Sequence, residues 1–266
     1  MKEILHFSHA NGFPAGCYDT LLSYLKDDFQ IGSIDRLGHD ENYPVTNNWE
    51  YLVRQLIDHF EHHYDQPVYA VGHSLGGVLS MMVAAQRPDL VKGLIMLDAP
   101  FLTAFEAFGV NWIKRLGLID KVTPAGRTLG RKEQWDSLEH TARYFKSKKL
   151  FNAFDERCLR DYIEQGTMPL SHGRRQLHFD AATEISIYRT IPDNLHHTKR
   201  LPMPSLAIAG KYSDVFKKHH AFKMQRQLGM EVHWLEGSHM FPLEQPTATA
   251  KLIKENIMRW SKQHGR

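Results

Sequence analysis

The sequence predicts an α/β protein, with about six mainly parallel strands flanked by helices and a helical insertion after the fourth strand. Three observations carry this. Short apolar runs recur at 4–8, 29–35, 68–72, 94–98, 205–210 and 232–236, with helical patterns between them, as strands of a sheet covered on both faces require. Residues 101–200 break that rhythm, being rich in helical patterns and aromatics without an obvious parallel strand. A chain of 266 residues that is 42% hydrophobic and 24% charged is also long enough to bury one substantial core. The expected division is a core of 1–100 and 201–266 and a helical cap, or lid, of 101–200.

The clearest helix is expected over 49–64, where Trp49, Leu52, Val53, Leu56, Ile57 and Phe60 follow the three-and-four spacing of one buried face. Asn48 suits its N-cap. A second helix is expected over 74–87, closed by Pro88, and others over 18–26, 215–228 and 247–260.

Composition narrows the partners. A net charge of +3, with Lys and Arg scattered among Asp and Glu, argues against nucleic acid and leaves a small-molecule substrate. No run approaches the ~18 consecutive apolar residues of a membrane span, and Met1-Lys2-Glu3 does not open a signal peptide, so a cytoplasmic protein is expected. Cys17 and Cys158 are expected as free thiols rather than a disulfide. Among 17 histidines, His59 and His63 stand at i and i+4 with His62 beside them. Without an HExxH or CxxC pattern they read as a solvated helix face, and neither a metal nor a cofactor is expected. No pattern in the chain fixes an oligomeric state.

The chemistry concentrates in Gly72-His73-Ser74-Leu75-Gly76, a G-x-S-x-G between a strand-like and a helix-like segment. A serine held on so sharp a turn needs small residues two before and two after it, where strand and helix cross closely. A serine hydroxyl is a weak nucleophile until a base takes its proton. His239, in the loop after the last strand, is the expected base. The carboxylate that orients it is expected after the preceding strand, at Asp214 in Gly210-Lys211-Tyr212-Ser213-Asp214, with Asp98 at the end of the fourth strand as the alternative acid. An oxyanion needs two N–H donors. Leu75 follows the nucleophile and supplies one; the loop after the first strand supplies the other, from Asn11 or Phe13.

These segments resemble the α/β-hydrolase superfamily. His9-Ala10-Asn11-Gly12-Phe13-Pro14 is similar to its HG-x-P loop, with Ala10 in place of the usual glycine and an extra pair of residues. Asp35-Arg36-Leu37-Gly38-His39 is similar to its D-x-x-G-H turn, and Gly72-His73-Ser74-Leu75-Gly76-Gly77 to its nucleophile elbow. The resemblance implies a capped serine hydrolase of the carboxylesterase type. Ser74 argues against the members that carry aspartate at the elbow, the dehalogenases and epoxide hydrolases. Thioesterase and carbon–carbon bond hydrolase remain as alternatives, and a ligand-binding protein on the same scaffold is the rival from another class. Phe101, Phe105, Phe108, Trp112, Trp135, Tyr144, Phe145, Phe151, Phe154 and Tyr162 give the insertion an aromatic character that suits an apolar or acyl substrate. Its cations, Arg127, Arg131, Lys132, Arg143, Lys146, Lys148 and Lys149, outnumber Glu133, Asp136 and Glu139 and suit either an anionic substrate or a solvated face.

Overall fold

The computed structural model describes residues 2–264. Nine strands form among the described residues: β1 (Glu3–Ser8), β2 (Phe29–Ser33), β3 (Val68–His73), β4 (Val91–Leu97), β5 (Gln134–Trp135), β6 (Thr167–Pro169), β7 (Arg175–Leu177), β8 (Ser205–Gly210) and β9 (Glu231–Leu235). Six of them make one all-parallel sheet in the order β2-β1-β3-β4-β8-β9. All six expected strands are therefore present. Helices α1 (Asp19–Ser23), α2 (Glu50–His63), α3 (Leu75–Gln86), α10 (Lys218–Lys223), α11 (Phe241–Glu244) and α12 (Pro246–His264) belong to this part of the chain.

Strand residues alternate between two cores. Ile4, Val68, Ala70, Leu94 and Met96 face Leu52, Leu56 and Leu79 of α2 and α3. Leu5, Tyr69, Val71 and Ile95 face Leu21, Ile253, Ile257 and Trp260 on the other side. With both faces covered, a strand gains by being apolar along its whole length, which is why these runs are continuous rather than alternating.

Asn48 does not cap α2. Asn48 and Trp49 both have positive φ, 59° and 57°, and no side chain caps the helix. The Asn48 amide oxygen instead accepts from the Asp193 N–H at 2.9 Å, tying the start of α2 to the segment that follows β4. The helix expected over 215–228 is broken into α10 and a π-helical turn at Met224–Leu228, closed by Gly229 in the left-handed region. His59 and His63 stack at 4.2 Å, and His62 and His63 each turn a ring nitrogen to the carbonyl four residues earlier. Cys17 and Cys158 are buried free thiols.

Between β4 and β8 lie α4 (Ala104–Arg115), α5 (Ile119–Val122), α6 (Ala125–Thr128), α7 (Leu138–Lys146), α8 (Glu156–Gln165), α9 (Ala181–Arg189) and a small antiparallel sheet of order β5-β7-β6. Its aromatics divide. Trp135, Phe145, Phe151 and Tyr162 join the second core, whereas Phe105, Phe108 and Trp112 on α4 are exposed.

α4 is pinned to α10 through Glu106, whose Oε1 meets the Nε2 of His219 at 2.8 Å and of His220 at 3.0 Å. The three are close enough to suggest a metal site. However, His220 Nδ1 accepts the Lys217 N–H at 3.0 Å, which leaves Nε2 as the protonated nitrogen donating to Glu106. The cluster thus reads as hydrogen-bonded. Burial alone raises the Glu106 pKa, but bonds from the Thr103 N–H and hydroxyl and the two imidazoles outweigh it and pull the carboxyl from 4.5 down to about 2. A depressed carboxyl stabilises the fold above its unfolded value, and that contribution is lost as pH falls from 4.5 through about 2. Acid titrations of stability should therefore show a steeper loss for wild type than for Glu106→Gln across that window. Parallel curves would show that the contact contributes nothing.

Candidate active site

Because the strands of the main sheet are parallel, their carboxyl ends share one edge, and the loops after β1, β3, β4, β8 and β9 meet there. Ser74 stands between β3 and α3 with φ 52° and ψ −114°, a strained turn for a residue with a side chain. The turn survives because its neighbours lack Cβ atoms. A Cβ on Gly72 would lie 2.3 Å from the Gly76 carbonyl carbon, and one on Gly76 would lie 2.1 Å from the Ser8 carbonyl oxygen. The Ser74 N–H donates to the Leu97 carbonyl at 2.9 Å, so the turn is also tied to β4. Leu75 opens α3, where a first-turn N–H has no partner within the helix.

His239 follows β9, and its loop is held from within. Glu244 takes the Ser238 N–H at 2.7 Å and the Ser238 hydroxyl, and the Met240 N–H donates to Ser238 Oγ at 3.1 Å. His239 Nδ1 donates to Asp98 Oδ2 at 2.7 Å. Asp98 is completely buried, and its carboxylate also accepts from the Gly210 N–H at 2.7 Å and the Ser213 hydroxyl at 2.5 Å. Three donors compensate the burial of the charge. Asp98 adopts φ 43°, a second strained residue at this edge.

The structure does not bring Asp214 to His239. Asp214 is exposed and makes no hydrogen bond or ion pair among the described residues. The cause lies one residue earlier. Ser213 bonds Asp98 and accepts the N–H groups of Val215 and Phe216 at 3.1 and 3.0 Å, which fixes the loop with the next side chain outward. Meanwhile the histidine loop crosses the end of β8 to reach β4. A Cβ on Gly210 would lie 2.3 Å from the Ser238 carbonyl oxygen, so only glycine there permits that crossing.

The two donor candidates after β1 are separated by the turn they form. The Phe13 N–H donates to the Ala10 carbonyl at 3.1 Å and is occupied. The same carbonyl receives His9 Nδ1 at 2.8 Å, while His9 Nε2 accepts the Leu37 N–H at 2.8 Å. Burial lowers the His9 pKa to about 4, so the ring is neutral and serves as a fixed brace. In a trans peptide, C=O and N–H point oppositely, so this anchoring turns the Asn11 N–H the other way. Asn11 lines both cavities described below.

Sequence reading missed one group. His73, buried beside Ser74, donates from Nε2 to the His239 carbonyl at 2.9 Å, and its Nδ1 accepts the Tyr18 hydroxyl at 2.7 Å. The Tyr18 oxygen in turn accepts the Ala10 N–H at 3.3 Å. Burial, aided by nearby His239, pushes the His73 pKa well down, so the ring stays neutral. The chain of bonds joins the loop after β1 to the loop that carries His239. Tyr18→Phe would leave Nδ1 buried and unpaired, a cost of about 1–3 kcal/mol. Calorimetry should read this as a Tm several degrees lower. An unchanged Tm would show that water or a rotated ring replaces the tyrosine.

Two cavities, of about 300 and about 340 Å³, flank Ser74 and His239, and both residues line both. The first is walled by apolar groups including Leu75, Val78, Leu102, Ile187 and Val215. The second lies against Asn11, Phe13, Tyr144, Phe151 and Tyr162, with Arg127, Arg131, Lys148 and Glu184 on its wall. Ser74 and His239 make no direct hydrogen bond to each other among the described residues.

Residues 7–252 match the model of the "Alpha/beta hydrolase family". The chain belongs to that family. It is similar to the "Monoglyceride lipase" of Mus musculus, 30% identical over 138 residues that make up 49% of this chain and 45% of the lipase. The "Type I acyl-CoA thioesterase mpaH" of Penicillium brevicompactum is 24% identical over 168 residues, 57% of this chain and 37% of the thioesterase. The chain thus spans less than half the length of these curated relatives. Among solved structures, that of "E-2-(Acetamidomethylene)succinate Hydrolase" superposes with a TM-score of 0.77 at 22% identity, covering 96% of this chain and 91% of that one. That likeness is one of fold. No helix among the described residues is long and apolar enough to cross a membrane.

Proposed function

We propose that this α/β-hydrolase is a serine esterase that cleaves an ester-like bond of a small substrate with an apolar acyl part, through an acyl-enzyme. The observation that carries the reading is the hydrogen bond from His239 Nδ1 to the buried Asp98 at the edge where Ser74 stands on its strained turn. That bond fixes the imidazole tautomer, leaving Nε2 as the base for the Ser74 proton. Attack by Ser74 Oγ on the carbonyl carbon forms a tetrahedral oxyanion, for which the Leu75 and Asn11 N–H groups are the assigned donors. The proton held on His239 passes to the leaving oxygen or sulfur. Water activated by the same histidine then releases the acid and frees Ser74. Residues 101–200 serve as the cap: Leu102, Val110, Val122 and Ile187 wall the first cavity from that side.

The relatives bear the names lipase and thioesterase, and both reactions run through this chemistry. A series of para-nitrophenyl esters of increasing chain length tests the reading. Turnover is expected, with preference for a medium-length acyl group that fills a cavity of about 300 Å³. A protein that binds these esters without releasing nitrophenol would instead be a ligand-binding member of the family.

A further inference from the structure

The two cavities beside Ser74 differ in charge. The first is lined by no Asp, Glu, Lys or Arg, whereas the second carries three cations and one anion. Of those cations, Arg131 is spoken for, since its Nη2 meets Glu184 Oε2 at 2.6 Å. Glu184 also takes the Thr128 hydroxyl at 2.9 Å, so its carboxylate is committed to the wall. Arg127 has no side-chain hydrogen bond or ion pair among the described residues. Lys148 lies over the Tyr144 ring at 4.3 Å and is likewise without an anionic partner. Two positive charges therefore remain uncompensated.

An unpaired surface cation is ordinarily just solvated. These two differ because they line the same cavity as Ser74, together with the aromatic side chains of Tyr144 and Phe151. Low-dielectric walls strengthen the field of such charges on anything that enters. A neutral substrate would leave that field unused. The cavity on the other side of Ser74 has mostly apolar walls and no Lys or Arg, so an anionic group there would lose its hydration without meeting a counter-charge.

We infer that the substrate is amphiphilic, with its apolar part in the first cavity and an anionic group, carboxylate or phosphate, in the second against Arg127 and Lys148. The inference rests on the hydrolase reading above and names the substrate class for that site.

Matched ester pairs test it with the charge on either side of the scissile bond. On the leaving side, hexanoyl esters of para-hydroxyphenylacetamide, para-hydroxyphenylacetate and para-hydroxyphenyl phosphate share one acyl group and differ in charge. On the acyl side, para-nitrophenyl hexanoate is paired with the mono-para-nitrophenyl ester of adipate. In at least one arm the anionic ester is expected to exceed its neutral partner in kcat/KM by about tenfold or more, the scale of a single charge-assisted contact. High salt should shrink that ratio. In Arg127→Ala/Lys148→Ala it should collapse toward one, mainly through KM, and the better of the acetate and phosphate probes identifies the group accepted. Ratios near one in both arms, from an enzyme that hydrolyses the neutral esters, would overturn the inference and leave the hydrolase reading standing. If no ester is turned over, binding still decides. Hexyl phosphate should raise the Tm of wild type but not of the double variant, and equal shifts in the two proteins would overturn the anionic site.

Discussion

Ser74→Ala is expected to lower kcat for a para-nitrophenyl ester by about 10⁴ to 10⁶, the loss that follows removal of the nucleophile in serine hydrolases. The fold should persist. The substitution removes one oxygen that makes no hydrogen bond among the described residues, and alanine inherits the same backbone strain at φ 52° without adding bulk. Binding of substrate and oxyanion would survive, so a small residual rate above water is expected rather than none. A fluorophosphonate probe supplies an independent reading. It should label wild type at Ser74 alone and leave Ser74→Ala unlabelled. Labelling elsewhere, or turnover retained by the variant at an unchanged Tm, would remove Ser74 from the mechanism.

The acid supplies the second large effect, and here two residues make opposite predictions. Asp98→Asn should cost roughly 10⁴ in kcat, because an amide at that position offers His239 Nδ1 either a donor or a neutral acceptor. The first forces the wrong tautomer, and the second no longer stabilises the imidazolium formed when Ser74 loses its proton. The Gly210 N–H and Ser213 hydroxyl that anchor the carboxylate remain, so the geometry should be largely kept. Asp214→Asn should leave kcat within about twofold, as an exposed substitution without partners normally does. Both variants can be measured with one ester. A large loss at Asp214 with near-normal turnover at Asp98 would return the acid to the loop after β8 and would mean that the His239 loop rearranges during turnover.

Much of this protein follows from the sequence alone. The central runs, β1, β3, β4 and β8, point to a parallel sheet because a strand covered on both faces must be apolar along its length, a local property of each run, while β2 and β9 at the sheet edges keep polar residues. The tight turn at Ser74 was legible for a similar reason. The glycines around it answer to contacts within one strand–turn–helix unit, and Gly72 and Gly76 meet in the structure as their spacing requires. The chain's membership of the α/β-hydrolase family rests on the match over residues 7–252.

What required tertiary structure is whatever depends on which loop crosses which strand end. Asp98 and Asp214 both follow strands whose carboxyl ends face the site, and spacing along the chain favours Asp214. Which of the two meets His239 turns on the His239 loop lying across Gly210 and on Ser213 binding Asp98, contacts between residues more than 20 and more than 100 positions apart. The two candidates for a second oxyanion donor, Asn11 and Phe13, were inseparable in the same way, because the Phe13 N–H is taken by a turn whose orientation His9 sets from Leu37. The Tyr18–His73 link between two loops left no motif at all, since a tyrosine and a histidine 55 residues apart signal nothing until the fold buries them together. Local sterics write themselves into spacing, whereas the pairing of buried polar groups is settled only when remote segments are packed and each donor must find its acceptor.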